Sequence, residues 1–239
     1  MIIVGAGEPR PCEFNDMKID IIDLGLIEHE TAWKLQNDYA VEIAQGKRPP
    51  TLLLLEHPHV YTFGRKGHAE NLLWNEAQLQ QKGISIHWVD RGGDVTYHGP
   101  GQLVGYPLLP LNHIRRPDRS DLKSDYVGYV RKLEQTLITA LSRLGVEAVQ
   151  RSGLTGVWIK KESPAKIAAI GVKVDVHGVS RHGFALNVNP DMGYWDGIIA
   201  CGLREPVVSL ADLLATVPSM EKVKEEVSFA FQEMFFGKE

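Results

Sequence analysis

Cysteine is scarce in this chain of 239 residues, with Cys12 and Cys201 the only two. They lack CxxC spacing and cannot build a disulfide framework or a cysteine-based zinc site, so free thiols in a reducing compartment are expected. Basic charge gives no surplus: 26 lysines and arginines stand against 30 aspartates and glutamates, a formal net charge of -4. A general nucleic-acid or anionic-membrane binder carries the opposite balance. Long apolar runs are missing as well. Met1 to Ala6 is apolar but gives way to Glu8, Pro9 and Arg10, too short for a signal core or a membrane span. These absences point to a cytoplasmic protein with no nucleic-acid or membrane partner. No linker, repeat or low-complexity tract interrupts the chain, so residues 17–239 are expected to form one domain behind an extension of residues 1–16.

What is present in excess is glycine in one place. From Arg91 to Pro107, seven glycines or prolines are interleaved with an arginine, a histidine and two tyrosines. Glycine removes the Cβ that keeps a ligand off the backbone and permits positive φ, so Gly92, Gly93, Gly99 and Gly101 can turn amide N–H groups toward a bound oxygen. Four glycines within ten residues, running directly into an apolar strand-like segment from Leu103 to Leu109, read as a loop built for close approach.

Around this loop the chain alternates elements. Lys18–Leu24 has the polar–apolar alternation of a strand, and Glu28–Ala44 carries Ala32, Leu35, Tyr39 and Ile43 at helical spacing. The leucine run Thr51–Glu56 suits a strand covered on both faces, broken by His57-Pro58 into a second glycine-bearing turn at Tyr61–Arg65. Asn75 is a candidate N-cap for a short helix to Lys82, and Ile84–Val89 is the strand that delivers the glycine-rich loop. Ser120–Leu144 reads as the longest helix, its Tyr126, Val130, Leu133, Leu137, Leu141 and Leu144 on one face. Strands are expected at Val157–Lys161, Ala165–Val176 and His182–Val188, with Ser209 and Ser219 capping two closing helices.

Several side chains suggest chemistry. His57, His59 and His68 have no cysteine or carboxylate pair at ligand spacing and read as hydrogen-bonded or solvated loop histidines, so no metal is expected. Lys166 sits among small and apolar residues on an expected strand, where it either reaches the surface or loses hydration and exchanges protons near neutral pH. Cys201 lies between an apolar run and Gly202. It is a core thiol or, given a neighbour that takes its proton, a nucleophile. Lys166 is one candidate neighbour, and His98 or His182 could form a Cys–His pair. No GxSxG elbow is present to support a serine hydrolase.

Three segments together resemble the lipoyl(octanoyl) transferases: the Arg91–Tyr106 loop, Lys166–Gly171 with Arg181–Val188, and Ile199-Ala200-Cys201-Gly202-Leu203. Glu56-His57-Pro58 with Val60–Thr62 and Gly64-Arg65 adds a fourth match, so the likeness covers residues 18–216. His59, where a second proline is common, and Asp94, in a slot that often holds glutamine, depart from the pattern. The resemblance implies an α/β (α+β) fold of the biotin/lipoate protein ligase kind, with a mixed, mainly antiparallel sheet flanked by helices. It implies transfer of an octanoyl group from acyl carrier protein to a lysine of the lipoyl domains of 2-oxoacid dehydrogenase complexes or glycine cleavage H protein.

Carried over residue by residue, Cys201 would be the nucleophile and Lys166 its proton partner. Arg91, Gly92, Gly93, Asp94, Val95, Thr96, Tyr97 and His98 would line the acyl site, with Ala169, Ile170 and Gly171 and with Gly183, Phe184 and Ala185. A monomer without cofactor is expected, and Lys47, Arg48, Arg65, Lys66 or Arg115–Arg119 are candidates for docking an acidic carrier protein. The rival readings are an ATP-dependent lipoate or biotin ligase, which needs no cysteine nucleophile, and a non-catalytic acyl-protein binding module.

Overall fold

Residues 18–111, 125–161, 163–200 and 206–237 are described by the computed structural model. Leucines alternate faces along β2 (Thr51–Glu56): Leu52 and Leu54 enter one core, Leu53 and Leu55 another. That two-residue period makes β2 an interior strand of a seven-stranded sheet. The other members are β1 (Asp20–Leu26), β6 (Gln102–Leu108), β7 (Ala148–Arg151), β8 (Leu154–Ile159), β9 (Lys166–Val174) and β10 (Ser180–Asn187), in the order β1-β2-β6-β10-β9-β8-β7. Only β1 and β2 run parallel; every other neighbouring pair in this sheet is antiparallel.

One face of the sheet is covered by α3 (Tyr126–Arg143) and α4 (Met220–Phe236), whose Leu133, Leu137, Leu141, Val223, Val227 and Phe231 pack on Leu52, Leu103 and Leu186. The other face receives α1 (His29–Ala44), with Ala32, Ala40 and Ile43 against Leu53, Val104 and Ala185. The long helix starts at Tyr126 with Asp125 capping the Gly128 amide at 2.9 Å; the expected start at Ser120 lies outside the described residues. Ser219 caps α4, whereas Ser209 heads only a single 3-10 turn, Leu210–Asp212, rather than a helix. Among the described residues, no helix is long and apolar enough to cross a membrane.

A second sheet contains the strand expected at Ile84–Val89 and two strands that were not expected. β3 (Val60–Phe63), β4 (Ser85–Trp88) and β5 (Val95–His98) pair in the order β4-β3-β5. The segment read as a glycine-bearing turn from Tyr61 is therefore strand up to Phe63, because Val60, Tyr61, Thr62 and Phe63 are all buried and β-branched or aromatic. Likewise the glycine-rich stretch is not one loop. It divides into a loop at Arg91–Asp94, strand β5, a Gly99-Pro100-Gly101 turn between the two sheets, and strand β6. The short helix α2 (Glu76–Gln81) starts at Asn75 in a capping box with Gln78. It packs Leu79 with Tyr61, Phe63, Val95 and Tyr97 under the small sheet.

Candidate functional site

Where the two sheets meet, β9 and β10 present paired small residues: Ala169 opposite Ala185 and Gly171 opposite Gly183. With no bulk on this floor, a narrow cavity of about 50 Å³ opens between the sheets. Its lining comprises Ala169, Ile170, Gly171, Gly183, Phe184 and Ala185 from the floor, Arg91, Gly92, Gly93, Thr96 and His98 from the glycine-rich stretch, and His29, Thr62, Tyr106 and His182.

The roof is held by its own backbone. Gly92 donates its N–H to Val172 O at 3.0 Å, which lays the Arg91 loop on β9. A Cβ built on Gly171 would stand 3.0 Å from Arg91 Cδ, so glycine is what lets the arginine lie flat there. The buried Arg91 guanidinium donates to two carbonyls and a hydroxyl: Nη2 to Thr62 O at 2.5 Å and Thr62 Oγ1 at 2.9 Å, Nη1 to Gly92 O at 2.9 Å. On the outer side, Arg65 and Lys66 donate backbone N–H groups to Arg91 O and Gly93 O at 2.9 and 3.0 Å. Gly101 has φ 84°, and its N–H meets Glu56 Oε2 at 2.7 Å, fixing the turn between β5 and β6.

Histidines dominate one end. His98 Nδ1 bonds Gln102 Oε1 at 2.7 Å, so it is the donor there, and Gln102 Nε2 continues to Asn187 Oδ1 at 2.8 Å. His57 spans Ile27 O at 2.7 Å and the Tyr106 hydroxyl at 2.8 Å. His29 packs 5.2 Å from both His57 and His87. Burial disfavours the charged imidazole, and neighbouring histidines add to this for all three. It pushes His57 down to about 4, His98 to about 3 and His29 to about 2. The cavity is thus walled by neutral rings at neutral pH.

His182 is the only non-glycine described residue with positive φ, at 56°. It is 3% exposed, its backbone N–H goes to Gln36 Oε1 at 2.7 Å, and its Nε2 donates to Asp90 Oδ1 at 2.8 Å. The His182 hydrogen bond holds the Asp90 carboxyl below the usual range against its desolvation, and Lys173 and Arg181 assist. Burial lowers His182 itself, opposed by Asp90. Neither Asp90 nor His29 stood out in the sequence. The only available signals were an aspartate just before the glycine-rich loop and a histidine at the first turn of a helix.

Of the residues singled out from sequence, Asp94, Val95 and Tyr97 do not line this cavity. Asp94 receives His68 N–H at 3.1 Å and Asn71 Nδ2 at 2.5 Å, and Val95 and Tyr97 are buried under the small sheet. His59 bonds the Tyr97 hydroxyl at 2.9 Å and stacks on Tyr194 at 3.9 Å. Lys166 begins β9, three residues before Ala169, and its half-buried side chain places Nζ 4.7 Å over the Trp158 ring. Its backbone N–H is taken by Pro206 O at 2.8 Å, and its carbonyl takes Val208 N–H at 2.9 Å. On the approach to Cys201, Ile199 donates to Asn71 O at 2.8 Å. Cys201 itself, like Cys12 and Arg115–Arg119, lies outside the described residues. Arg48 is engaged by Glu42 at 2.6 Å and lies over the Tyr39 ring.

Residues 28–232 match the family model described as the lipoyl protein ligase A/B catalytic domain. The chain is 46% identical over 212 residues to the octanoyltransferase of Solibacter usitatus, an alignment spanning 89% of this chain and 90% of that one. It is 42% identical over 213 residues to the octanoyltransferase of Chloroflexus aurantiacus, with 89% and 92% covered. Among solved structures it superposes on a chain from an archaeal lipoylation system, a bipartite lipoate protein ligase and its E2 lipoyl domain from Thermoplasma acidophilum. The TM-score is 0.69 at 21% identity, with 91% of this chain and 84% of that chain covered. It also superposes on lipoate-protein ligase A bound with ATP, at TM-score 0.66 and 18% identity over 93% and 88% of the two chains. What is shared with these structures is the fold: a mixed, mainly antiparallel sheet flanked by helices.

Proposed function

The chain belongs to the lipoyl protein ligase A/B catalytic domain family, and from that premise we propose that it moves an octanoyl group from an acyl carrier protein thioester to a lysine of a lipoyl domain. The curated relatives are named for octanoyl transfer. The observation that carries the reading within this chain is the narrow cavity floored by Ala169, Gly171, Gly183 and Ala185, which begins three residues along β9 from Lys166. Burying an apolar chain there supplies ~0.8 kcal/mol per methylene.

The chemistry balances without a nucleotide. In the first half, the Cys201 thiol passes its proton to the Lys166 amine and the sulfur attacks the carrier thioester carbon. A C–S bond forms, the tetrahedral intermediate collapses, and the leaving carrier thiolate takes the proton back. In the second half, the acceptor lysine amine attacks the Cys201 thioester; a C–N bond forms, the C–S bond breaks, and the amine's proton ends on the cysteine sulfur. Thioester exchange is nearly isoenergetic and amide formation runs downhill. Backbone N–H groups would stabilise the oxyanion.

Connectivity supports the pairing of Lys166 with Cys201. Pro206, bonded to the Lys166 N–H, follows Cys201 by five residues, a span that reaches at most about 18 Å when fully extended. Arg65 and Lys66, exposed beside the loop that lines the cavity, suit an acidic carrier protein.

Octanoyl carrier protein, a lipoyl domain and the full chain, mixed without ATP, test the function. Acceptor mass should rise by one octanoyl group, and Cys201→Ala should abolish the gain. Transfer that required ATP and survived Cys201→Ala would assign the chain to the adenylating ligases instead.

A further inference from the structure

Lys166 pairs with Val207 on one side and with Trp158 on the other. The second pairing depends on a shift in register between β8 and β9. Val157 faces Ala168, but Trp158 faces Lys166 rather than Ile167, so β9 carries one extra residue at this point. An extra residue of this kind re-aims a side chain. An unbroken ladder would set Lys166 opposite Ile159 instead.

Strand β8 is shaped to receive that side chain. Gly156 has φ 121°, and a Cβ built on it would stand 3.4 Å from Lys166 Cε and 3.5 Å from Lys166 Cδ, as well as 2.7 Å from Ala168 O. The bare glycine leaves room for the aliphatic stem. Its amide is pinned, because Gly156 N–H donates at 2.9 Å to Oε1 of Glu134, a fully buried carboxylate on α3. Two residues along, the Trp158 ring meets Lys166 Nζ at 4.7 Å, within the range at which an indole face attracts a cation.

Packing alone does not account for an indole at this position. Trp158 is fully buried, and its Nε1 has no hydrogen-bond partner among the described residues. A buried unpaired donor is destabilising, and phenylalanine or leucine would fill space without one. What the indole adds is the side-chain face that binds cations best. The same ring carries a second cation, with Arg151 Cζ at 4.8 Å.

Resting on the octanoyl-transfer reading, in which Lys166 takes the thiol proton, we propose that Trp158 is a positioning residue for that amine. Gly156 seats the stem. The indole face holds the head and receives the positive charge that appears when the Cys201 S–H bond breaks and the new N–H bond forms on Lys166. Trp158 does not line the acyl cavity; it acts through Lys166.

The test replaces Trp158 alone with 5-fluoro-, 5,7-difluoro- and 4,5,6,7-tetrafluorotryptophan, which weaken the negative face of the ring while keeping its shape. The readout is the burst of carrier thiol released from octanoyl carrier protein by the full chain without acceptor. The burst rate should fall stepwise, to about a tenth with the tetrafluoro ring, while donor KM stays within about twofold. Arg151→Gln, which takes the other cation off the ring, should leave the rate within about threefold.

A burst rate flat across the fluorinated series would overturn the proposal, since shape alone would then suffice. So would a loss with Arg151→Gln equal to that of the tetrafluoro ring, which would route the effect through the guanidinium. Two other results strike the premise and are told apart from these. Wild type that transfers no octanoyl group would overturn the function, an undiminished burst from Lys166→Ala would overturn the role of the amine, and the positioning role of Trp158 falls with either.

Discussion

His182 donates its Nε2 proton to Asp90 Oδ1 at 2.8 Å, and the other Asp90 oxygen takes Lys173 and, at 3.2 Å, Arg181. One carboxylate immediately ahead of Arg91 thereby gathers cations from both β9 and β10. It fastens the roof of the cavity to its floor and holds His182 at a φ of 56° that a non-glycine residue adopts only under constraint.

Replacing that carboxylate should therefore loosen the site as well as the fold. Asp90→Asn keeps an acceptor for His182 but no charge for Lys173 and Arg181. Asp90 is 33% exposed, so solvent screens part of the loss. Urea denaturation should show about 1–2 kcal/mol less stability, and steady-state kinetics should show a raised donor KM with a smaller change in kcat. Unchanged stability and KM would mean that the contact positions nothing.

Acid should destabilise the protein well above the carboxylate range. His29, His57 and His98 have folded values of about 2, 4 and 3, below the ordinary 6.5. Each therefore contributes stability that is complete above about pH 6.5 and drains as pH falls toward its folded value. Between pH ~6 and ~4 the unfolded chain binds a proton at each that the fold refuses, worth about 1.4 kcal/mol per pH unit apiece. Denaturation midpoints from pH 7.5 to 5 should fall steeply, and His29→Leu should make the fall shallower by about one imidazole's share. A stability flat across that range would contradict neutral buried rings. Asp90, held low by His182, adds a further loss only below about pH 4.

Two glycines of similar appearance should behave differently. Gly105 on β6 lies between Leu54 and Phe184, and a Cβ there would fall inside the Phe184 ring, which is itself 2% exposed. Gly105→Ala should cost about 1–3 kcal/mol through overpacking. Gly92→Ala meets only Val172 O at an ordinary 3.6 Å and should cost less than about 0.5 kcal/mol. Thermal melts of the two variants decide it, and equal losses would refute the packing described for the sheet centre.

Residues with local periodicity were legible in sequence. The alternating Leu52–Leu55 run, the α3 stripe of Leu133, Leu137 and Leu141, and Asn75 as an N-cap all announce themselves within a few neighbours. Of the small sheet only β4 did, as the strand expected at Ile84–Val89; β3 and β5 are four residues each and border glycines, so turn chemistry masks their strand propensity. Of the cavity's glycines, Gly171 and Gly183 entered only through the family resemblance, whereas Gly92 and Gly93 could be read as close-approach positions. Their partners could not: Asp90 reaches Lys173, Arg181 and His182 across 83, 91 and 92 residues, and His29 reaches the cavity from the start of α1. Such contacts depend on register between distant strands, which no local pattern carries.

Octanoyl transfer by this chain requires a covalent acyl group on the Cys201 sulfur. The full chain should be incubated with octanoyl carrier protein and no acceptor, quenched in acid, digested and read by peptide mass spectrometry. One octanoyl group is expected on the peptide containing Cys201, released by neutral hydroxylamine and absent from Cys201→Ala. An unmodified Cys201 peptide, from a preparation that still octanoylates a lipoyl domain when the acceptor is supplied, would contradict it.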